Sequence, residues 1–192
     1  MAGKSRLLDV VLGAVGVALF SPVVAAAAIA IRLDDGGPVF FAQERLGRDR
    51  VPFTVLKLRS MRDGEVTRVG RWIRATGLDE VTQFLAVLAG DMSVVGPRPL
   101  TAADVQRLGW DGPEHDARFA MKPGITGLAQ LFAGPGAEAS AALDARYAQD
   151  ASALLDLELV ALSFVVNVVG KARVRRWTVA HRYRSPSGRA EA

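Results

Sequence analysis

Charge is absent from residues 10–31, an unbroken run of apolar and small side chains with Lys4, Arg6 and Asp9 just before it. At 1.5 Å of rise per residue, such a run can cross a hydrocarbon core of about 30 Å. Ser21-Pro22 stands at its centre, and a proline inside a helix removes one backbone donor and kinks the chain. Each half is then roughly 10–12 residues, or about 16 Å, only half the core thickness. Lys4 and Arg6 precede the run, while Arg32, Arg45, Arg48 and Arg50 follow it, and basic residues favour the cytoplasmic side. A spanning helix and a helix that bends and returns to its own face both fit. A cleaved signal peptide fits less well, because the run is long and Asp9 sits in its head.

The periodicity then changes. Asp34-Asp35-Gly36-Gly37-Pro38 is a turn cluster, and Val39-Phe40-Phe41 and residues 53–56 predict short strands around the basic turn Arg48-Asp49-Arg50. Apolar positions at helical spacing predict a helix over 69–74 and another over 78–88, with Gly90 as its stop. Residues 90–99 hold too much Gly and Pro for a helix interior. A helix is expected from about Thr101, then a loop over 122–127 and a flexible loop over 133–142. Residues 154–169 read as an apolar helix, short for a span. Lys171, Arg173, Arg175, Arg176, Trp177, Arg182, Tyr183 and Arg184 follow it, a mixture suited to an anionic membrane surface. A core helix with a solvated basic tail is the plainer alternative. The pattern divides the chain into a membrane segment 1–33, a compact domain 34–170 and a basic tail 171–192.

Composition narrows the chemistry. At 192 residues, half of them hydrophobic, the chain suits one domain with a membrane-associated part. Lys+Arg exceed Asp+Glu by 24 to 20, with pI near 9.9, so phospholipid headgroups, nucleotide phosphates and nucleic acid are all eligible partners. No recognisable nucleic-acid motif accompanies the charge, and that partner is set aside. The absence of cysteine excludes disulfides and thiolate chemistry, and two histidines, His115 and His181, exclude a His-rich zinc site.

Asp79-Glu80 opens the helix expected over 78–88. Adjacent helical residues diverge by about 100°, yet in a first turn both can reach one cavity, where the helix dipole favours an ionised, nucleophilic carboxylate. Taken alone, such a pair is an ordinary helix-start signal. Cations surround it: Arg71 and Arg74 just upstream, Lys57 and Arg59 on the second strand as a further clamp, and Arg98 between Pro97 and Pro99. Flanking prolines restrict where that guanidinium points, and guanidinium binds phosphate oxygens in a planar fork. Gly124 and Gly127, after Pro123, allow close approach of backbone to a ligand and serve any tight turn equally well.

Together these residues resemble the small monotopic phosphoglycosyl transferases, the bacterial sugar transferase family, from about Arg6 to Val169. The resemblance rests on an ordered series: Ser21-Pro22, Gln43-x-Arg45-x-Gly47, Lys57-Leu58-Arg59-Ser60-Met61, Leu78-Asp79-Glu80, Gly90-Asp91-Met92-Ser93, Gly96-Pro97-Arg98-Pro99 and Pro123-Gly124-Ile125-Thr126-Gly127-x-Ala129-Gln130. It implies an α+β, mostly helical monotopic membrane protein, with a re-entrant helix-break-helix bent at Ser21-Pro22 and a catalytic domain with interfacial helices. It also implies location on the cytoplasmic face of the bacterial inner membrane. The activity implied is transfer of a sugar-1-phosphate from a UDP-sugar to polyprenol phosphate, by way of a phosphosugar bound to Asp79. Glu80 would assist through Mg²⁺ or proton transfer, with Asp79 and Glu80 as the metal's carboxylates. Lys57, Arg74 and Arg98 would hold phosphates, and Pro123, Gly124, Thr126, Gly127 and Gln130 would form the substrate loop. Membrane phospholipids are implied partners, and a homo-oligomer is left open.

This sequence departs from the family in three places. Thr82 replaces a usual proline, and Gly77 a usual serine, which weakens the expected helix cap. Leu131-Phe132-Ala133-Gly134 stands where a polar, Asn- and Arg-containing stretch is usual, in a region expected to touch the sugar or nucleotide. A non-enzymatic basic membrane adaptor is the competing reading.

Overall fold

A computed structural model describes residues 6–134 and 136–170; the basic residues expected to form the C-terminal tail lie outside them. The apolar run forms one helix, α1 (Arg6–Asp35), long and apolar enough to cross a membrane by length and composition. The expected break at Ser21-Pro22 is not a loss of helix: α1 continues through it. Pro22 has no amide hydrogen to give the preceding turn, and beside it the Ser21 hydroxyl donates to the Val17 carbonyl at 2.5 Å.

Two antiparallel strands follow, β1 (Phe40–Leu46) and β2 (Pro52–Leu58), paired from Phe40 opposite Leu58 to Leu46 opposite Pro52. The basic turn predicted between them is present as a 3-10 turn at Arg48–Arg50. A small hairpin, β3 (Met61–Arg62) and β4 (Glu65–Val66), leads into α2 (Arg68–Thr76), whose N-terminus is capped by the Thr67 hydroxyl accepting from Gly70 N–H at 2.9 Å. Gly70 lets this helix press on the preceding segment, since a Cβ there would stand 2.0 Å from the Ser60 carbonyl oxygen.

The helix expected over 78–88 is divided. Leu78–Glu80 form a 3-10 turn, and α3 is shorter, Gln83–Ala89, ending on Gly90 as read from the sequence. The segment 90–99 contains β5 (Ser93–Val95), after which α4 (Ala102–Leu108) begins on a capping box between Thr101 and Asp104. Then come α5 (Asp116–Phe119), β6 (Gly124–Thr126) and α6 (Leu128–Phe132). The stretch taken for a flexible loop is mostly helix, because α7 spans Ala137–Asp150 and its alanines favour helix. The last element is α8 (Ala153–Val169).

β5 and β6 pair in parallel, Ser93 opposite Gly124 and Val95 opposite Thr126, and so bring two Gly/Pro-rich loops side by side. Around them Val87, Met92, Val94, Leu128, Phe132, Leu143, Tyr147 and Leu159 form the main core. A second cluster of Ala27, Ile31, Leu58, Ile73 and Leu78 seats the C-terminal half of α1 on β2, α2 and the turn before Asp79. Each Leu or Ile of this cluster contributes about 1.5–3 kcal/mol when fully buried.

Candidate active site

Five segments converge on Glu80. β2 presents Lys57, with Nζ 3.7 Å from Glu80 Oε1, and the loop after β5 presents Arg98, with Nη2 donating to the same oxygen at 2.6 Å. Arg45 of β1, Gln83 of α3 and Gly124 and Ile125 of β6 complete the lining of this small cleft, with Val55 and Pro99. Asp79 is next to it in the 3-10 turn. Burial, and then the Glu80 charge, push its carboxyl above the ordinary aspartate range, with Lys57 and Arg74 pulling it back. The pair sits on a 3-10 turn ahead of a short α3, and not in the first turn of the longer helix expected over 78–88. Burial also lowers Lys57, against the pull of Glu80.

The motif Lys57-Leu58-Arg59-Ser60-Met61 divides its work. Lys57 faces the cleft and Leu58 the core, while Ser60 and Met61 receive Arg74, whose Nε donates to Ser60 Oγ at 3.1 Å and Nη2 to Met61 Sδ at 3.4 Å. Arg74 is thus beside Asp79 without touching it. Arg59 is not the second clamp expected of it: it pairs with Asp35 at the end of α1.

Both departures flanking the dyad have structural reasons. Gly77 ends α2 in the left-handed conformation, φ +70°, and also opens the 3-10 turn of the dyad, where, as expected, it supplies no side-chain cap. Thr82 has φ −65°, the value a proline would impose, and its buried hydroxyl lies 2.5 Å from the Leu56 carbonyl and 3.4 Å from that of Asp79.

The second loop supports the first more than it lines the cleft. Cβ atoms on Gly124 and Gly127 would stand 2.0 Å from Gly96 N and 2.1 Å from Gly96 O, so their absence lets two backbones touch. The Pro123 carbonyl accepts from Ser93 N–H, and that of Thr126 from Gly96 N–H, both at 2.8 Å. Gln130 Nε2 donates to the Gly96 and Gly124 carbonyls at 3.4 and 3.2 Å. Leu131, Phe132 and Ala133, expected near the sugar, are buried in the main core instead. Sequence reasoning gave Arg45 no role beyond its motif and passed over Gln83; neither carries a local signal of where it ends up.

On the far side of the dyad, Val81 and Leu85 join Val17, Phe20 and Val24 of α1 and Phe40 of β1 around an apolar groove of about 310 Å³. Ser21 lines it as well. Neighbouring acids, converging cations and an adjoining apolar groove can accommodate an anionic group beside an apolar one.

The chain belongs to the bacterial sugar transferase family, whose model matches residues 2–170. It is 45% identical over 142 residues to the UDP-glucose:undecaprenyl-phosphate glucose-1-phosphate transferase of Caulobacter vibrioides, covering 67% of this chain and 53% of that one. It is 38% identical over 148 residues to an Aeromonas hydrophila UDP-N-acetylgalactosamine-undecaprenyl-phosphate N-acetylgalactosaminephosphotransferase, covering 70% of this chain and 35% of that one. The first of these relatives is thus matched over about half its length and the second over about a third. An exopolysaccharide production protein, PSS, of Rhizobium leguminosarum bv. phaseoli is 35% identical over 182 residues, covering 81% of this chain and 90% of its own.

Proposed function

We propose that the protein transfers a sugar-1-phosphate from a UDP-sugar to undecaprenyl phosphate, beginning assembly of a bacterial polysaccharide. The observation that carries this reading is the meeting of Lys57 and Arg98, from separate elements, on a carboxylate adjacent to Asp79. An Asp79 carboxylate oxygen attacks the β-phosphorus, the bond from that phosphorus to the bridging oxygen breaks, and UMP departs with the electron pair. A phosphate oxygen of the polyprenol then attacks the same phosphorus and frees Asp79. Lys57 and Arg98 hold the phosphate oxygens, and Arg74 adds positive charge beside the nucleophile.

Among the described residues no cluster of three or more acidic or histidine side chains forms a metal cage. Two neighbouring carboxylates plus substrate phosphates are nonetheless a set that Mg²⁺ accepts, and Asp79 and Glu80 would hold it. When bound it would neutralise charge on the diphosphate.

The cytoplasmic face of the inner membrane is the location that the basic residues flanking α1 favour, and a re-entrant α1 is supported by how the helix is tied down. At one end Arg6 donates to the Val87 and Leu88 carbonyls at 2.6 and 2.8 Å, and Asp9 accepts from Ser93 Oγ and Val94 N–H at 2.7 and 2.9 Å. At the other, Asp34 accepts from Val69 N–H at 3.0 Å and Asp35 pairs with Arg59. Ends fastened to one domain do not suit opposite sides of a bilayer. Leu7, Val11, Val15, Leu19, Ile29 and Leu33 are exposed along the helix between them, an apolar face suited to lipid.

The test is UMP release from a panel of UDP-sugars with undecaprenyl phosphate in nanodiscs, together with intact mass before acceptor is added. A phosphosugar adduct is expected on the wild type. Asp79→Asn should lose the adduct and roughly a thousandfold or more in turnover. Full activity of Asp79→Asn would end the assignment, and UMP release without any adduct would replace it with direct displacement. Membrane binding with no nucleotide binding would favour the adaptor reading.

A further inference from the structure

Every carbonyl from Val95 to Leu100 accepts a hydrogen bond from a different part of the fold. The donors, in order, are Tyr147 Oη (3.4 Å), Gln130 Nε2 (3.4 Å), Gly124 N (2.8 Å), Arg118 Nη2 (3.0 Å), Arg45 Nη1 (3.1 Å) and Leu46 N (2.8 Å). Pro97 and Pro99 have no amide hydrogen, so around Arg98 this stretch is fastened mainly through its acceptors. The donor to Arg98 itself is a guanidinium that the chemistry above does not use. Arg118 is 5% exposed, its Nε donates to Asp144 Oδ2 at 3.0 Å, and Asp144 is 4% exposed. The Trp110 and Phe119 rings lie 4.7 and 5.1 Å from its Cζ.

A buried ion pair is a poor source of stability, since apolar residues of similar volume often serve as well or better. A reason to keep this one lies in its third partner. We propose that Arg118 and Asp144 are positioning residues: the pair grips the Arg98 carbonyl from behind and aims the half-exposed Arg98 side chain into the phosphate cleft. Asp144 holds the guanidinium plane, Trp110 and Phe119 keep water from it, and the free arm of the fork reaches the loop. This rests on the reading that Arg98 holds a substrate phosphate.

The experiment uses the full chain carrying Arg118→Met with Asp144→Leu, so that no buried charge is left unpaired. The variant should fold with a thermal midpoint within a few degrees of the wild type. UDP should bind about tenfold more weakly, as expected for one lost hydrogen bond to a buried group. The KM for UDP-sugar should rise by a similar factor while kcat changes much less. In an Arg98→Ala background, titrated with UDP to millimolar concentration, the same double replacement should cost less than about twofold, because the side chain it aims is gone. Unchanged UDP binding would overturn the proposal, and so would an equal loss in both backgrounds, which would mark a purely structural pair. If the double replacement fails to fold, Arg118→Lys is read the same way: one ammonium opposite Asp144 lacks the two-armed reach, and about threefold weaker binding is expected. A wild type that binds no UDP would instead remove the proposed function, and this inference with it.

Discussion

On the cationic side of the cleft, the loop bearing Arg98 is gripped at each carbonyl and pressed backbone to backbone against Gly124 and Gly127. On the acidic side, Asp79 and Glu80 ride on a single 3-10 turn with backbone bonds of 3.2 Å (Glu80 N to Gly77 O) and 3.4 Å (Val81 N to Leu78 O). Leu78 enters the core beneath them, and the Thr82 hydroxyl reaches across to β2. The contrast follows the chemistry proposed for each side. Phosphate-holding groups gain most from being pre-set, because no binding energy is then spent on ordering them. The attack proposed for Asp79 asks for less fastening of its backbone, and the apolar groove begins two residues further on, at Val81.

The largest effect should come from breaking the gripped side. In Gly124→Ala the new methyl would stand 2.0 Å from Gly96 N, backbone against backbone, so β5 and β6 must separate. A loss of roughly 3 kcal/mol or more is expected, visible as a lowered thermal midpoint in detergent, with weakened UDP binding. Stability within about 0.5 kcal/mol of wild type would mean that the two loops are not packed as described.

This gripped side was also the less legible in the sequence. The β1–β2 hairpin could be read because its strands and basic turn are neighbours along the chain. The parallel pairing of 93–95 with 124–126 joins segments far apart, and three-residue strands leave no alternation to detect. Gly124 and Gly127 were visible as glycines, but whether they admit a ligand or another backbone is a tertiary fact. Arg118 and Asp144 look like any charged surface pair until their burial is known. The dyad, by contrast, came from ordered motifs, and so did Arg98 on the gripped side itself: such motifs mark a residue without knowledge of the fold, while what holds that residue in place stays hidden. Gly77 is the weak cap it was read as, but its second part, ending α2 in the left-handed conformation, went unseen because the end of α2 and the start of the next turn share one residue.

A smaller effect separates charge from packing on the gripped side. Burial pushes Asp144 up to about 6, against the pull of Arg118, from an ordinary value of 3.8. The folded state therefore holds the proton more tightly than the unfolded one, and linkage makes this group's contribution fall as pH rises through the interval. It is greatest below about pH 4 and lost by about pH 6, up to roughly 3 kcal/mol at 1.4 kcal/mol per factor of ten. Asp104, held down to about 2 mainly by hydrogen bonds from Arg107 and Thr101, acts in the opposite sense and below that window. Denaturation from pH 4 to 6 should show the downward slope in wild type and a flatter one in Asp144→Asn. Parallel slopes would mean that Asp144 stays ionised throughout.

The smallest effect tests the acidic side. Thr82→Val preserves shape and removes one buried hydroxyl, at a cost of about 1 kcal/mol. That hydroxyl sits between the Leu56 and Asp79 carbonyls, so it joins the dyad's turn to the strand carrying Lys57. Losing it leaves the Arg98 loop untouched and lets the nucleophile drift from its line of attack. Turnover should fall several-fold while UDP affinity stays within about twofold, since small errors of alignment are felt in the chemical step. The gripped side should show the reverse, affinity lost ahead of turnover. If Thr82→Val weakened UDP binding as much as it slowed release of UMP, the two sides of the cleft would be one mechanical unit, and the division drawn between holding and attacking would have to be given up.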